Sequence, residues 1–327
     1  MAGRHEEYEF CSPVPRRVLG RTGLVVSRLA LGAGPVSGLM TGDAAASQAD
    51  TLRALYEFGI NWIDTAAGYG NGSSETNIGR ALAELPSDVS EMFHVATKVR
   101  IDFRSSRKFA DQVLFGLDAS LSRLQRSKVT LLQLHNGVTV RQGDQPNSLA
   151  VADVLNSGGI LDALKSAQAD GRVNFLGLTG TGVAEQLRAV VRSREFDTIQ
   201  VPYNLLNSSA GCETTGCSQE QNYGNILEDC HSVGMGCFAI RVFAGGALLG
   251  QPPSKHTLKT PFFPLDLYQR DLERAARISN RSSGSDLKQR SVKFALSHPA
   301  IHSAIIGFGA PEHVRDTVRA LSGVPWL

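Results

Sequence analysis

The chain has 327 residues, is 42% hydrophobic and 20% charged, and carries a formal net charge of +2. That composition excludes a disordered or collagen-like chain, and its scattered Lys and Arg offer no basic patch for nucleic acid or an anionic membrane. No uncharged run approaches the ~18 apolar residues of a membrane span, and the charged opening MAGRHEEYEF lacks the apolar stretch of a secretory signal.

Residues 1–14 are expected to be a flexible tail and residues 15–327 a single domain. Val18–Arg28 predicts a hairpin, with Gly20 and Gly23 supplying the turn. Leu29–Gly34 is the first core strand. Gln48–Phe58 has helical apolar spacing and stops at Gly59. Ile60–Asp64 is a strand, and Glu75–Leu85 a helix ended by Pro86. The alternation continues with strand Phe93–Val99, helix Phe109–Leu124, strand Val129–His135 and helix Leu161–Asp170. Strand Val173–Leu178 and helix Val183–Arg194 follow, then strand Asp197–Val201 and helix Tyr223–Val233. Gly236–Arg241 and Ala304–Gly307 are the last strands, with a closing helix at Glu312–Leu321.

Strands alternating with helices over the whole length imply βαβ units and a parallel sheet. With no linker or composition break, the pattern suits a closed (β/α)8 TIM barrel with an N-terminal β-hairpin better than an open sheet. Two stretches interrupt the rhythm: the polar Asn136–Gly158, and Gly250–Leu267 with Pro252, Pro253, Pro261 and Pro264. Both leave strand C-termini, where such barrels place their active sites, and both read as long loops.

The cysteines, Cys11, Cys212, Cys217, Cys230 and Cys237, are few and odd in number, so a disulfide framework is not expected. No CxxC or His spacing completes a zinc site. Free thiols, a cytoplasmic location and no metal follow as expectations. The Gly-rich segments at Gly68–Gly72 and Gly177–Gly182 do not match the dinucleotide fingerprint of a Rossmann fold.

Four polar residues stand at or just beyond the ends of consecutive strands: Asp64, Tyr69, Lys98 and His135. Singly, each has an ordinary structural explanation: a helix cap, loop packing, a solvated ammonium, a satisfied histidine. Jointly they interrupt apolar runs at the same place in adjacent units, and a barrel would bring them together. Delivering hydride to a carbonyl carbon leaves charge on the oxygen, so a proton donor must stand beside it. A tyrosine beside an ammonium can do this, because the cation stabilises the phenolate. Lys98 would serve Tyr69, Asp64 would position Lys98, and His135 would hydrogen-bond the carbonyl oxygen.

This set, with RVLGRTGLVVSRLALG, GINWIDTAAGYGNGSSETNIGRAL, VATKV, LLQLHN, GRVNFLGLTG, IQVPYNLLN, IRVFAGGALLG and IIGFGAPEHVRDTVRAL, resembles the aldo-keto reductase superfamily over nearly the whole chain. The TGLVVSR, GLTG and LHN segments look closer to its sugar-dehydrogenase branch, which includes L-galactose and D-threo-aldose dehydrogenases.

The resemblance implies a nicotinamide cofactor, NADP with NAD as the alternative. It places the carboxamide near Thr179 and Gln200, with Gly180 where the family often has Asn. Ile240 and Arg241 fall where the family often has an aromatic platform and a serine. Arg241 is expected at the pyrophosphate, along the backbone of Val242, Phe243, Ala244 and Gly245. Gly307, Phe308, Gly309, His313, Asp316 and Thr317 are expected at the adenine end, with Arg315 adjacent. The implied activity is NAD(P)-dependent interconversion of a carbonyl (aldehyde, ketone or sugar) and its alcohol. The alternative is a cofactor-binding regulatory subunit with little turnover, like the potassium-channel β subunits of the superfamily. The only partner expected is a small carbonyl or alcohol substrate.

Overall fold

The computed structural model describes residues 14–213, 221–260, 263, 265–279 and 284–321. Residues 1–13 of the expected tail lie outside these, as do Cys11 and Cys217. Val14, assigned to the tail's end, is buried, and its N–H donates to Phe58 O at 2.9 Å.

Strands β1 (Arg16–Val18) and β2 (Val25–Ser27) form the expected hairpin, pairing Arg16 with Ser27 and Val18 with Val25. Gly20 at φ 48 lies against the chain at Gly236, where an added Cβ would fall 2.5 Å from the Gly236 nitrogen. Leu19 and Val26 drive into the barrel floor, where they pack with Trp62, Leu131 and Phe238. The hairpin is therefore a stopper, held by burial of its two large apolar side chains at about 25 cal/mol per Å² of surface removed from water.

The barrel units follow in order: β3 (Leu29–Gly32), α1 (Ala45–Glu57), β4 (Trp62–Asp64), α2 (Ser73–Ala83), the short α3 (Ser87–Glu91), β5 (His94–Val99), α4 (Phe109–Leu124) and β6 (Val129–Leu134). Next come β7 (Val138–Thr139), β8 (Leu149–Ala150), α5 (Val151–Leu155), α6 (Ile160–Ala169), β9 (Val173–Thr179), α7 (Ala184–Arg192), β10 (Thr198–Pro202), α8 (Ile226–Ser232) and β11 (Gly236–Ile240). The chain ends with α9 (Leu265–Ser279), α10 (Gly284–Ser297), β12 (Ile301–Ile306) and α11 (Pro311–Leu321).

Strands β3, β4, β5, β6, β9, β10, β11 and β12 close into one parallel barrel in that order, as expected. The ring shuts where Ala304 pairs with Leu29 and Ile306 with Leu31. Helices lie against it by apolar stripes; α4, for example, buries Val113, Leu117, Leu121 and Leu124 at helical spacing.

Three expectations change. Strand β12 begins at Ile301 rather than Ala304, because His302 and Ser303 are polar yet buried. Asn136–Gly158 is not a plain loop: β7 and β8 pair in parallel, and α5 follows them. The segment after β11 turns into α9 and α10, which the sequence pattern did not reveal. Among the described residues no helix is long and apolar enough to cross a membrane.

Candidate active site

Strand register sets the depth of each side chain at the barrel's C-terminal end. Asp64 pairs across with Ala96, and Lys98 with Gln133. Gln133 in turn faces Gly177, where an added Cβ would meet Thr198 Oγ1 at 2.5 Å and Gln133 Cγ at 2.9 Å. The absence of a side chain at Gly177 makes room for Gln133 inside the barrel.

Lys98 is only 1% exposed. Its Nζ donates to Asp64 Oδ2 at 2.5 Å, to Thr65 O at 2.9 Å and to Tyr69 OH at 3.2 Å. Burial pulls the Lys98 pKa down, but the Asp64 and Tyr69 oxygens outweigh it, so the pKa is raised and the side chain stays an ammonium. Asp64 Oδ1 accepts from the Gln133 amide at 3.0 Å and from the Gln200 amide. Both oxygens of that carboxylate are thus engaged.

Tyr69 begins a tight turn just past β4. Gly70 at φ 58, Asn71 at φ 53 and Gly72 at φ 93 reverse the chain into α2. At Gly70 a Cβ would fall 2.2 Å from Ser73 Oγ, so only glycine fits there. The Tyr69 ring passes Gly34, whose Cβ position is 3.6 Å away. His135, one residue beyond β6, is tied by its backbone N–H to Val99 O at 2.8 Å. Its ring meets the Tyr69 ring edge to face, centroids 5.7 Å apart at 82°. Burial, with the charges of Lys98 and Arg100, holds the His135 pKa well below 6.5. The imidazole is neutral at pH 7 and keeps one ring N–H to donate.

The four expected catalytic side chains therefore converge. Two neighbours were not anticipated. Gln133 interrupts the apolar VTLLQL two residues before His135, a signal the reading passed over. Arg100 follows Lys98 by two residues and carries charge into the same opening.

The expected cofactor residues divide. Thr179 Oγ1 donates to Leu134 O at 2.9 Å, which leaves the hydroxyl oxygen able to accept. Gln200, expected on a carboxamide, donates one N–H of its amide to Asp64. Gly180 cannot carry the family's Asn, because a Cβ there would meet Val201 Cγ1 at 2.7 Å and Gln200 O at 2.9 Å. Ile240 is half-buried and packs on the barrel's interior cluster.

Arg241, expected at the pyrophosphate, is held by partners within the protein. Its guanidinium lies 3.7 Å from Asp271 of α9 and stacks 3.9 Å over the Phe263 ring. Val242 and Ala244 are buried and Phe243 half-buried. The following Ala244, Gly245 and Gly246 have φ of 50, 74 and 106, and this left-handed turn closes on itself, Ala244 N donating to Arg241 O at 2.7 Å and Gly246 N to Phe243 O at 2.9 Å.

At the adenine end Gly307, Gly309, His313 and Asp316 are exposed, whereas Phe308 and Thr317 are buried. Thr317 spends its hydroxyl on His313 O at 2.7 Å, a bond within α11. His313 Nδ1 accepts from Gly309 N at 3.2 Å, and Arg315 turns to Glu57 of α1 at 3.5 Å. Among the described residues no cluster of His, Cys, Asp and Glu is arranged to hold a metal, and Cys212, Cys230 and Cys237 are free thiols.

Comparison with known proteins agrees with this geometry. Residues 28–324 match the family model described as the Aldo/keto reductase family. The chain is 26% identical to L-galactose dehydrogenase of Arabidopsis thaliana over 307 residues, 94% of this chain and 88% of that one. It is 26% identical to a putative voltage-gated potassium channel subunit beta of Schizosaccharomyces pombe over 96% of this chain and 90% of that one. Among solved structures, an aldo-keto reductase from Bacillus halodurans in its holo form superposes with a TM-score of 0.68 at 18% identity, covering 96% of this chain and 93% of that one.

Proposed function

Because the chain belongs to the aldo/keto reductase family and is an oxidoreductase, we propose that it interconverts a carbonyl compound and its alcohol, with Tyr69 as general acid and base. The observation that carries this reading is the Lys98 ammonium, fixed by Asp64 at 2.5 Å and 3.2 Å from the Tyr69 hydroxyl.

A nicotinamide dinucleotide bound at the mouth supplies the hydride in reduction and takes it back in oxidation. The rest belongs to the chain. Tyr69 gives its phenolic proton to the carbonyl oxygen as charge grows there. Lys98 stabilises the phenolate left behind, and Asp64, braced by Gln133 and Gln200, keeps Lys98 in place. Neutral His135 donates its N–H to the same oxygen and orients the carbonyl. In alcohol oxidation the phenolate takes the proton back.

The residues present fit such a cofactor. Thr179 offers an acceptor to a carboxamide NH2, and the N-terminus of α11 offers a positive dipole end to the adenylate. The family habit favours NADP. The held-back Arg315 weighs toward NAD, since an arginine bound to Glu57 is less ready to meet a 2′-phosphate. The similarity to L-galactose dehydrogenase supports a sugar or related hydroxyaldehyde as one substrate type.

Tyr69→Phe tests the reading. It should keep dinucleotide binding and lose reduction of aldehydes by at least about 10²-fold. Unimpaired turnover in that variant would sink the assigned role. The similarity to a channel β subunit favours a second reading, a cofactor-binding subunit with little turnover. Tight dinucleotide binding with no reduction across a broad carbonyl panel would select it.

A further inference from the structure

We propose that the cleft at the N-terminal end of the barrel, between the hairpin and the turn before β12, is a second ligand site that takes a phosphate monoester with an apolar body. It lies at the opposite end of the strands from Lys98 and Tyr69, and it stands whether or not the hydride-transfer reading holds.

Three stretches of chain build the cleft. Pro15, Arg16 and Arg17 come from the start of the hairpin, Arg28 from the step between β2 and β3, and residues 296–299 from the end of α10 and the turn into β12. Its volume is about 460 Å³, within the roughly 300–1,000 Å³ of small-molecule sites. Pro15, Leu296 and Pro299 give it apolar walls. Among the described residues that line it there is no Asp or Glu.

Two guanidinium groups converge there. Arg17 donates from Nη1 to Ile301 O at 3.0 Å and from Nη2 to Pro299 O at 2.7 Å. Arg28, only 3% exposed, donates from Nη1 to the same Ile301 O at 2.8 Å and from Nη2 to Leu296 O at 2.7 Å. Two like charges thus share one carbonyl oxygen. Burial, with the charge of Arg17, lowers the Arg28 pKa to about 10.

The ordinary explanation is that the pair caps the last turn of α10. That meets only part of the charge. A helix C-terminus presents roughly −0.5 of a charge, against two cations that stay charged at pH 7. Arg17 also keeps donors to spare: a guanidinium has five N–H groups, and carbonyls take two of them here. A phosphate monoester carries about −1.5 to −2 at pH 7 and three strong acceptor oxygens. It matches the remaining charge, and its oxygens suit the planar fork of a guanidinium. A monocarboxylate brings less charge. The apolar walls favour an organic ester over inorganic phosphate.

The test titrates phenyl phosphate, inorganic phosphate and benzoate calorimetrically into the full chain at fixed ionic strength. Phenyl phosphate should bind about tenfold more tightly than either of the others. In NMR spectra it should shift the ring signals of His298, which lines the cleft, and leave those of His135 at the mouth in place. Arg17→Met should weaken binding by about tenfold or more, with Arg17→Lys between. Ser297→Asp keeps both arginines and sets a carboxylate at the exposed edge of the cleft. It should also weaken binding, so the proposal stays testable if Arg17→Met fails to fold.

No binding to the full chain would overturn the proposal, as would binding that shifts His135 instead of His298 or that is indifferent to the substitutions. Equal affinity for benzoate and phenyl phosphate would overturn it as a phosphate site.

Discussion

Lys98 and Asp64 form an ion pair of 2.5 Å with side chains 1% and 4% exposed, deep at the end of the barrel. A pair so buried is expensive to break from one side, because the survivor is left charged and unsolvated; the cost is typically about 3–5 kcal/mol. Asp64→Asn should therefore lower the melting temperature by roughly 10 °C and reduce turnover by about 10²-fold or more. Thermal melts and steady-state rates read both. An unchanged melting temperature would show that the pair does not hold this end of the barrel.

Gly180 leads to a counter-intuitive outcome. Putting back the asparagine that relatives often carry there should damage the protein. A Cβ would fall 2.7 Å from Val201 Cγ1 and 2.9 Å from Gln200 O, and the Gly180 N–H already bonds Gln200 O at 2.7 Å. Gly180→Ala should cost about 1–3 kcal/mol through overpacking, and Gly180→Asn more, both measurable by urea unfolding. A neutral or stabilising Gly180→Asn would mean that β9 and β10 separate there readily.

The acid side of the stability curve should carry the mark of His302. Burial, with the charges of Arg17 and Arg28, lowers its pKa from 6.5 to about 4. Its Nδ1 accepts from Cys237 N at 3.0 Å, a bond that needs the unprotonated nitrogen. Between those two values the unfolded chain binds a proton that the folded chain refuses, so stability rises with pH through this window. The contribution is whole above pH 6.5 and is lost as pH falls to about 4, a change of about 3 kcal/mol. His135, lowered for like reasons, adds in the same sense. His302→Asn keeps an acceptor for Cys237 N and should flatten the acid limb. Denaturation midpoints from pH 4 to 7 would show it, and an unaltered slope would assign the limb to other groups.

Arg315 bears on the cofactor's two forms. Glu57 holds it at 3.5 Å, and His313 is occupied by Gly309 N. Fluorescence titration should find NADH bound at least as tightly as NADPH. Gly309→Arg has space, since its nearest Cβ contacts are ordinary ones of 3.4–3.5 Å. It should raise NADPH affinity by roughly tenfold, about the effect of one charge-assisted contact. A wild-type preference for NADPH would mean that Arg315 leaves Glu57 when the 2′-phosphate arrives.

The barrel was legible because its strands are apolar runs and its helices amphipathic, so period and punctuation agree. Where they disagree, the reading failed. Helix α9 buries Tyr268, Asp271 and Ala275, a stripe whose spacing is helical but whose residues are too polar or too small to register as apolar. Strand β12 hid its start because His302 is buried and satisfied by a backbone amide from another strand. The β7–β8 ladder is two residues long, too short to show any period.

The site was legible at strand ends and illegible in its pairings. Asp64, Lys98 and His135 announce themselves by interrupting apolar runs. That Gln200 serves Asp64 across 136 positions, or that Arg241 turns to Asp271, depends on where the closed barrel brings distant segments. Side-chain direction at a barrel rim is settled by those neighbours.

The bracing of Asp64 has a consequence for where protons travel. Its carboxylate accepts Lys98 on one oxygen and Gln133 and Gln200 on the other. Below it Leu19, Val26 and Trp62 close the barrel floor with apolar packing, which offers a proton no route in that direction. Whatever refills the Tyr69 hydroxyl after each turnover must come in from the mouth, past His135, by the doorway the substrate uses. Reloading the acid and exchanging the substrate thus share one passage, and a molecule lingering there delays both.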